Sequence, residues 1–378
     1  MPPPSSTSFV IPAVVATIGF GCGVLFATRL LRLRDRERLR HACSRTRKHL
    51  ATKGRRAALG IDLGRLLLVA GDYHRDGPVI NKKRRQRVVV LGAGAFGTAM
   101  AYASAQGADN DTVLYMRDAN QCRVINAEKR NPKYLSDFSL QLAGGGGDGE
   151  IRAICTLEEL RFELSTPGVI ILHALPCQLT PPWFEEHKDI IPEDALICIT
   201  AKGLYLRTNQ LMGHAILDAL DRAEQPLAFL SGPSFAIEIM KGHPTTLVVA
   251  SDVPCNAVRV QKMLSNFKTV RVFVSDDPIG VQLGGALKNP LAVGAGMVSA
   301  MGFGTNTLSA AVTRAANELR QLCVAMGANP RTIDGLAGMG DLMLTCFSAQ
   351  SRNQRAGARL MTGETVEEIQ KEMTVEGM

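Results

Sequence analysis

The first 28 residues contain no Asp, Glu, Lys or Arg, and none of the nine cysteines stands close to another along the chain. Without paired spacing, cysteines 22, 43, 122, 155, 177, 198, 255, 323 and 346 supply neither a disulfide framework nor a thiolate zinc site. Their scatter fits a reducing compartment. Positive charge is also lacking where a nucleic-acid binder would need it. The whole chain is +8, but residues 29–87 carry 19 Lys/Arg against 5 Asp/Glu, a net of +14, which leaves residues 88–378 at −6. A mildly acidic body excludes nucleic acid as its partner. Disorder and collagen-like repeats are excluded by 46% hydrophobic and 21% charged residues, and 378 residues suffice for two packed domains.

The uncharged start includes residues 9–28 (FVIPAVVATIGFGCGVLFAT), long enough to span a bilayer although Pro12, Gly19, Gly21 and Gly23 weaken the helix. Arg29, Arg32, Arg34, Arg36, Arg38 and Arg40 follow at once. Two readings stay open. A retained anchor would make membrane contact through 9–28 and leave the catalytic part in the cytosol. A cleaved presequence would carry the chain into an organelle, a plastid above all. Residues 1–86 therefore form a targeting and linker region, closed by the basic cluster Lys82-Lys83-Arg84-Arg85-Gln86-Arg87.

Order begins at Arg87. Val88-Val89-Val90-Leu91 is a β-branched apolar run of the kind buried in a parallel sheet. It turns through Gly92-Ala93-Gly94-Ala95-Phe96-Gly97 into a helical stretch, Thr98–Gln106. Between a strand and a helix, that glycine spacing reads as a dinucleotide cradle. Gly92 makes the tight turn, Gly94 lets the backbone approach a pyrophosphate, and Gly97 lets helix and strand pack. The phosphates would meet free N–H groups at the positive helix end. Further strands are expected at Thr112–Met116, Val169–Leu172, Leu196–Ile199 and Thr246–Ala250. The first of these, Thr112–Met116, ends in Arg117-Asp118, one residue suited to a 2′-phosphate and one to a ribose hydroxyl, so NAD and NADP are both open. Lys202 and Gln178 become candidates because ligands of open α/β sheets gather beyond strand carboxyl ends. His173 reads as a structural histidine.

From 278 onward the pattern changes to helices rich in small residues, at 279–300, 306–326 and 333–344. The expected class is α/β: a Rossmann-type doubly wound parallel sheet over 87–274, then an all-α substrate-binding and catalytic domain over 275–378. Lys288 is the only formal charge in residues 281–296, and an ammonium in such surroundings needs an anion or a task. Asp341, in Gly338-Met339-Gly340-Asp341-Leu342-Met343-Leu344, is its mirror image. Ser351-Arg352-Asn353 offers a cation and donors suited to clamping a phosphate.

These motifs carry a resemblance. GAGAFGTAMA (92–101), LHALPCQ (172–178), AKGL (201–204), LSGPSFAIEI (230–239), GGALKNPLAVGAGM (284–297), NTLSAAVTRA (306–315) and GLAGMGDLMLTCFSAQSRN (335–353) occur in this order. Over residues 87–378 the chain resembles the soluble NAD-dependent glycerol-3-phosphate dehydrogenases, most of all the bacterial and plastid branches. The resemblance implies reversible reduction of dihydroxyacetone phosphate to sn-glycerol 3-phosphate with NAD(H) or NADP(H), no metal, and a homodimer. It implies catalytic roles for Lys288, Asp341 and Lys202. Substrate contacts fall on Lys202, Gly232, Ser234, Lys288, Asn289, Asp341, Thr345, Ser351, Arg352 and Asn353. Cofactor contacts fall on Gly92, Gly94, Ala95, Phe96, Gly97, Arg117, Pro176, Lys202, Ala236, Arg352 and Glu376. Three departures accompany it. The chain stops at Val375-Glu376-Gly377-Met378, so the helical domain is expected to be truncated. The loop at 141–150 is rich in glycine, and Pro290 is expected to kink the helix beside Lys288. The competing expectation is a catalytically impaired, membrane-tethered nucleotide-binding protein.

Overall fold

A computed structural model of the chain describes residues 85–107, 109–142, 150–266, 269–373 and 375. The apolar run 9–28, the basic stretch through Arg84, the glycine cluster Gly144–Gly147 and Glu376 lie outside the described residues. Among the described residues no helix is long and apolar enough to cross a membrane.

The strands are β1 Gln86–Leu91, β2 Asn110–Tyr115, β3 Arg152–Ile154, β4 Ile170–His173, β5 Leu196–Ile199, β6 Leu204–Tyr205, β7 Gln210–Leu211, β8 Leu227–Ser231, β9 Thr245–Ala250 and β10 Val270–Ser275. Eight of them form one sheet in the order β10-β9-β8-β5-β4-β1-β2-β3, and β6 and β7 pair as a small hairpin. From β8 to β3 all neighbours are parallel, whereas β9 runs antiparallel to β8 and β10 parallel to β9. The expected parallel sheet therefore gains a reversed pair at one margin. β10 was not among the expected strands. Its VRVFVS alternates buried and exposed positions, as an edge strand does, so it lacks the continuous apolar run that marks the central strands.

Strand β1 lies between β2 and β4, so the chain winds outward in both directions from it. The crevice where the two windings part opens at the carboxyl ends of β1 and β4. Alternation along β1 divides its side chains between two cores. Val88 and Val90 join a cluster with residues of α1 (Ala95–Ala105), while Val89 and Leu91 join the opposite cluster. Next in sequence are α2 (Ala119–Glu128), α3 (Leu157–Leu164), α4 (Thr180–Glu186), α5 (Met212–Leu220), α6 (Ala236–Met240) and α7 (Pro254–Leu264). Ala257 and Val260 of α7 share the face of α1, and Leu160, Phe184 and Ile216 of α3, α4 and α5 cover the other. The result is three layers.

After β10 the chain is helical: α8 (Pro278–Ala300), α9 (Thr305–Ala325), α10 (Pro330–Ile333), α11 (Asp341–Phe347), α12 (Arg352–Met361) and α13 (Val366–Glu372). Helix α8 starts where Pro278 supplies a first-turn residue with no N–H to satisfy. The Asp277 carboxylate accepts from Gly280 N and Asn329 N, both at 2.8 Å. Pro290 lies inside α8, which runs through it without a break. A third core gathers Leu283, Ala292, Leu319, Cys323, Leu342 and Cys346. Helices α8 and α12 cross with backbones in contact. A Cβ on Gly296 would fall 1.9 Å from Gln354 O, and one on Gly357 would fall 1.9 Å from Val293 O. The single helix expected at 333–344 is instead three pieces: α10, a π-turn at Leu336–Gly340, and α11. Gly335, Gly338 and Gly340 make that break possible. A Cβ on Gly338 would sit 2.2 Å from Ile333 O, closer than any side chain tolerates.

Candidate active site

The glycine loop follows β1 and abuts the loop after β4. Gly92 has φ +105°, and a Cβ there would meet Ala174 O at 2.9 Å. A Cβ on Gly97 would fall 1.9 Å from Gly92 O, whereas nothing lies within 4 Å of one on Gly94. Two glycines are thus demanded by packing, and the third faces open space at the start of α1. Gly94 is the N-cap of that helix and offers no side-chain cap, so the first-turn N–H groups are left for a ligand. Sequence reasoning missed what holds this loop from below. Buried Asn131 donates to Ala93 O at 3.0 Å and to Thr98 Oγ1 at 2.8 Å, and Gln121 donates to Asn131 Oδ1 at 2.8 Å. A lone Asn before Pro132 gives no periodic signal that would reveal this.

Arg117 and Asp118 follow β2 and are both exposed. The Asp118 carboxylate caps α2, accepting from Asn120 N and Gln121 N at 3.0 Å. Phe96 and Ala236, at the starts of α1 and α6, pack partly buried against the sheet core. Pro176 O accepts from Thr180 Oγ1 at 2.9 Å, ahead of a short turn at Cys177–Leu179. Gln178, a candidate by position, is committed elsewhere. Its side chain donates to Leu204 O at 2.8 Å and accepts from Leu206 N at 3.0 Å, bracing the β6–β7 hairpin. His173 is fully buried beside Thr180 Oγ1 at 2.8 Å, and burial lowers its pKa to about 3. It stays neutral at physiological pH and is no acid or base there.

The two lysines and the aspartate meet. Lys288, 6% exposed in the middle of α8, donates to Asp341 Oδ1 at 2.5 Å and to Thr345 Oγ1 at 2.9 Å. Lys202, in the turn after β5, donates to Asp341 Oδ2 at 2.8 Å and to Gly232 O at 3.0 Å. Asp341 itself is 0% exposed and is the first residue of α11, directly after the π-turn. Thr345 gives its own proton to Asp341 O at 2.6 Å, which turns a hydroxyl lone pair towards Lys288. Lys288 does not reach to solvent along the helix surface. Its charge is answered inside.

Polar groups around the triad extend the network. Asn289 donates to Lys202 O at 3.1 Å, Asn353 donates to Asn289 Oδ1 at 3.0 Å, and Ser234 donates to Gly232 O at 3.1 Å. Ser351, 2% exposed, caps α12 by accepting from Gln354 N at 3.2 Å. Arg352, at the first position of that helix, is exposed. Buried Cys346, near Lys288, has its thiol pKa pushed up to about 11 by burial, with Lys288 opposing. It remains a thiol, not a nucleophile.

Among the described residues, one buried carboxylate faces two ammonium groups at a spot beyond the strand ends. Such a site is built to receive a further anion or developing negative charge. Among the described residues no group of His, Cys, Asp and Glu is arranged to hold a metal ion. The glycine loop fits a dinucleotide, because its open position and uncapped helix start match a pyrophosphate.

Comparison with known proteins agrees with this geometry. Residues 87–257 match the NAD-dependent glycerol-3-phosphate dehydrogenase N-terminus, and residues 277–378 match the C-terminus of the same family. The chain is 39% identical over 288 residues to a chloroplastic glycerol-3-phosphate dehydrogenase [NAD(+)] of Arabidopsis thaliana, covering 76% of this chain and 66% of the relative. A chloroplastic counterpart from Oryza sativa is 39% identical, over 76% of this chain and 63% of its own. The chain thus spans less than two thirds of the length of these two plant relatives. A glycerol-3-phosphate dehydrogenase [NAD(P)+] of Acinetobacter baumannii is 40% identical over 301 residues, 79% of this chain and 80% of the relative. The crystal structure of glycerol-3-phosphate dehydrogenase from Coxiella burnetii superposes with a TM-score of 0.69 at 30% identity, covering 78% of this chain and 86% of that one. Two matched regions in order, and a glycine loop joined to a buried Lys–Asp–Lys triad, make this chain a member of the NAD-dependent glycerol-3-phosphate dehydrogenase family.

Proposed function

We propose that the chain catalyses the reversible, NAD(P)-dependent interconversion of dihydroxyacetone phosphate and sn-glycerol 3-phosphate. The observation that carries this reading is the Asp341 carboxylate shared by Lys288 and Lys202, at 2.5 and 2.8 Å, beyond the same strand ends as the glycine loop. When bound, the nicotinamide supplies or accepts the hydride. In the reducing direction negative charge grows on the C2 oxygen of the substrate, and Lys288 donates its proton to that oxygen. Asp341 and Thr345 hold the Lys288 ammonium in position. Lys202 adds a second positive charge at the same carboxylate. Arg352 anchors the phosphate from the start of α12, with Ser234, Asn289, Ser351 and Asn353 completing the substrate contacts. The glycine loop, Pro176, Ala236 and Glu376 belong to the cofactor side, and we divide the chain into 87–274 and 275–378 accordingly.

Arg117 is exposed while the neighbouring Asp118 carboxylate is engaged in capping α2, which supports acceptance of NADP as well as NAD. The chloroplastic relatives support delivery to a plastid, with residues 1–86 as the address. A homodimer is supported by exposed apolar side chains on and beside the outer helices, among them Phe303, Leu322, Met343 and Phe347. The complete triad argues against the impaired, nucleotide-binding alternative.

The test is turnover of dihydroxyacetone phosphate by the full chain, following NADH and NADPH oxidation separately, beside Lys288→Ala. The variant should lose turnover by on the order of 10²–10⁴ while still binding NADH. Turnover above about a tenth of the unaltered chain's would move the proton-donor role away from Lys288.

A further inference from the structure

Cys122 and Cys155 lie far apart in sequence, and the fold brings them together at the β3 margin of the sheet. Cys122 is on α2, and Cys155 directly follows β3. Asn126, one helical turn beyond Cys122, clasps the two elements. Its amide donates to Ala153 O at 2.9 Å and accepts from Ala153 N at 2.9 Å. Helix α2 joins β2 to β3, which are parallel, so it runs back against both strands. One turn back along α2 from Asn126 and two residues on from Ala153 therefore lead to the same place. The contacts agree. Asn126 Nδ2 lies 3.9 Å from Cys122 Sγ, and the two thiols hydrogen-bond to each other.

The pair is unequal. Cys122 is 6% exposed within the core on the α1 face, and Cys155 is partly exposed at its rim. Burial first, and then Cys155, push the Cys122 thiol up to about 12, so it does not react alone. Facing thiols, one reachable and one covered, suit thiol–disulfide exchange, and the catalytic reading uses neither. Disulfides of reducing compartments are mostly transient or redox-sensing, which fits a pair found by folding and not by sequence spacing.

We propose that Cys122 and Cys155 close reversibly into a disulfide by exchange with a small-molecule disulfide, and that closure weakens cofactor binding. Cys155, as thiolate, attacks one sulfur of the reagent, whose S–S bond breaks and releases a small thiolate. Cys122 then loses its proton and attacks the Cys155 sulfur, and the mixed S–S bond breaks to release the second small thiolate. Two protein thiols give up two electrons, the reagent takes them, and both protons end on the released thiols. An S–S bond spans only about 2 Å, so closure draws α2 towards β3. Gln121, beside Cys122, donates to Asn131 Oδ1 at 2.8 Å and to Ala93 O at 3.3 Å, the brace beneath the glycine loop. Shifting α2 loosens that brace. The disulfide is independent of the proposed function, whereas its effect rests on the glycine loop as a dinucleotide site.

The test incubates the full chain with oxidised glutathione, denatures and alkylates it, and maps the unreduced peptides by mass spectrometry. The expected product is a cross-link between the Cys122 and Cys155 peptides that dithiothreitol reverses and Cys155→Ser abolishes. A glutathione adduct left on Cys155 with Cys122 still alkylated, or both residues alkylated as free thiols, overturns the pair. NADH binding, followed by fluorescence, should weaken by about fivefold or more in the cross-linked chain and recover on reduction. Cys155→Ser should keep its affinity through the same treatment, which sets aside exposed Cys255 and the other thiols. Should Cys155→Ser fail to fold, Cys122→Ala takes its place. A cross-linked chain with unchanged NADH affinity overturns the coupling to the cofactor. A reduced chain that binds no NADH counts instead against the dinucleotide reading, while the peptide map still decides the disulfide.

Discussion

Asp341→Asn should do more damage than its small change in shape suggests. The carboxylate is wholly buried and its two oxygens serve different ammonium groups, Lys288 at 2.5 Å and Lys202 at 2.8 Å. An amide keeps the volume and one acceptor but removes the charge, and its NH₂ points donors at a lysine. Two ammonium groups some 5–7 Å apart then repel by about 2–3 kcal/mol at an effective dielectric of ~20. Breaking a buried pair from one side costs about 3–5 kcal/mol in other proteins, so a net loss of about 3 kcal/mol is expected. For a chain of this size that lowers Tm by roughly 4–5 °C, measurable by calorimetry. A second substitution separates repulsion from lost packing. If the damage is electrostatic, Lys202→Met added to Asp341→Asn should restore part of the Tm, although Lys202→Met alone is destabilising. Turnover should stay low in both, because Lys288 has lost its holder. Asp341→Asn with an unchanged Tm, or a double variant whose losses simply add, would refute the shared-carboxylate account.

Arg352→Lys should not rescue Arg352→Ala, since lysine lacks the bidentate fork. Steady-state kinetics should show a large loss of kcat/KM for dihydroxyacetone phosphate with an unchanged circular dichroism spectrum. Arg117→Ala should reduce kcat/KM for NADPH by about tenfold or more and leave NADH nearly untouched, and equal effects on both would remove Arg117 from cofactor choice. His173, with its pKa lowered to about 3 by burial, is neutral in the fold but takes a proton in the unfolded chain below about pH 6.5. Its contribution is full above pH 6.5 and is lost as pH falls towards 3, so denaturant unfolding at pH 5 should show about 2 kcal/mol less stability from this group than at pH 7. His173→Gln should flatten that part of the slope, and an identical slope in the variant would show that other groups cause it.

The parts of the fold and site that could be read in advance are those where a residue breaks its local pattern. Gly92, Gly94 and Gly97 interrupt an apolar strand at the spacing a pyrophosphate needs, and Lys288 and Asp341 are single charges in apolar surroundings. What could not be read is that one carboxylate serves both lysines. Asp341 is 53 positions from Lys288 and 139 from Lys202, and no local periodicity spans such distances. The π-turn that aims Asp341 was hidden for a related reason. Apolar spacing through 333–344 imitates one helix, while Gly335, Gly338 and Gly340 allow a wider turn that only tertiary packing selects. Asn131 escaped because a buried amide bracing a loop leaves no trace in hydrophobic periodicity. Arg352 was found by its motif, yet it is exposed, so its proposed grip on a phosphate depends on the substrate being present.

The glycine crossing of α8 and α12 has a metrological consequence. Lys288 and Asn289 ride on one helix and Arg352 and Asn353 on the other, and the two rods touch through bare backbone at Gly296 and Gly357. Side chains at a crossing can adopt other rotamers and let helices slide, but main chain against main chain offers no such play. The span from the proposed phosphate anchor to the proposed proton donor is therefore a gauge block. A ketose phosphate with one carbon more between phosphate and carbonyl would overshoot the Lys288 ammonium by about 1.5 Å, more than the roughly 1 Å misplacement that already costs about 10²-fold in rate. Selection among sugar phosphates would then be made by length, and one added methyl at Gly296 would recalibrate it.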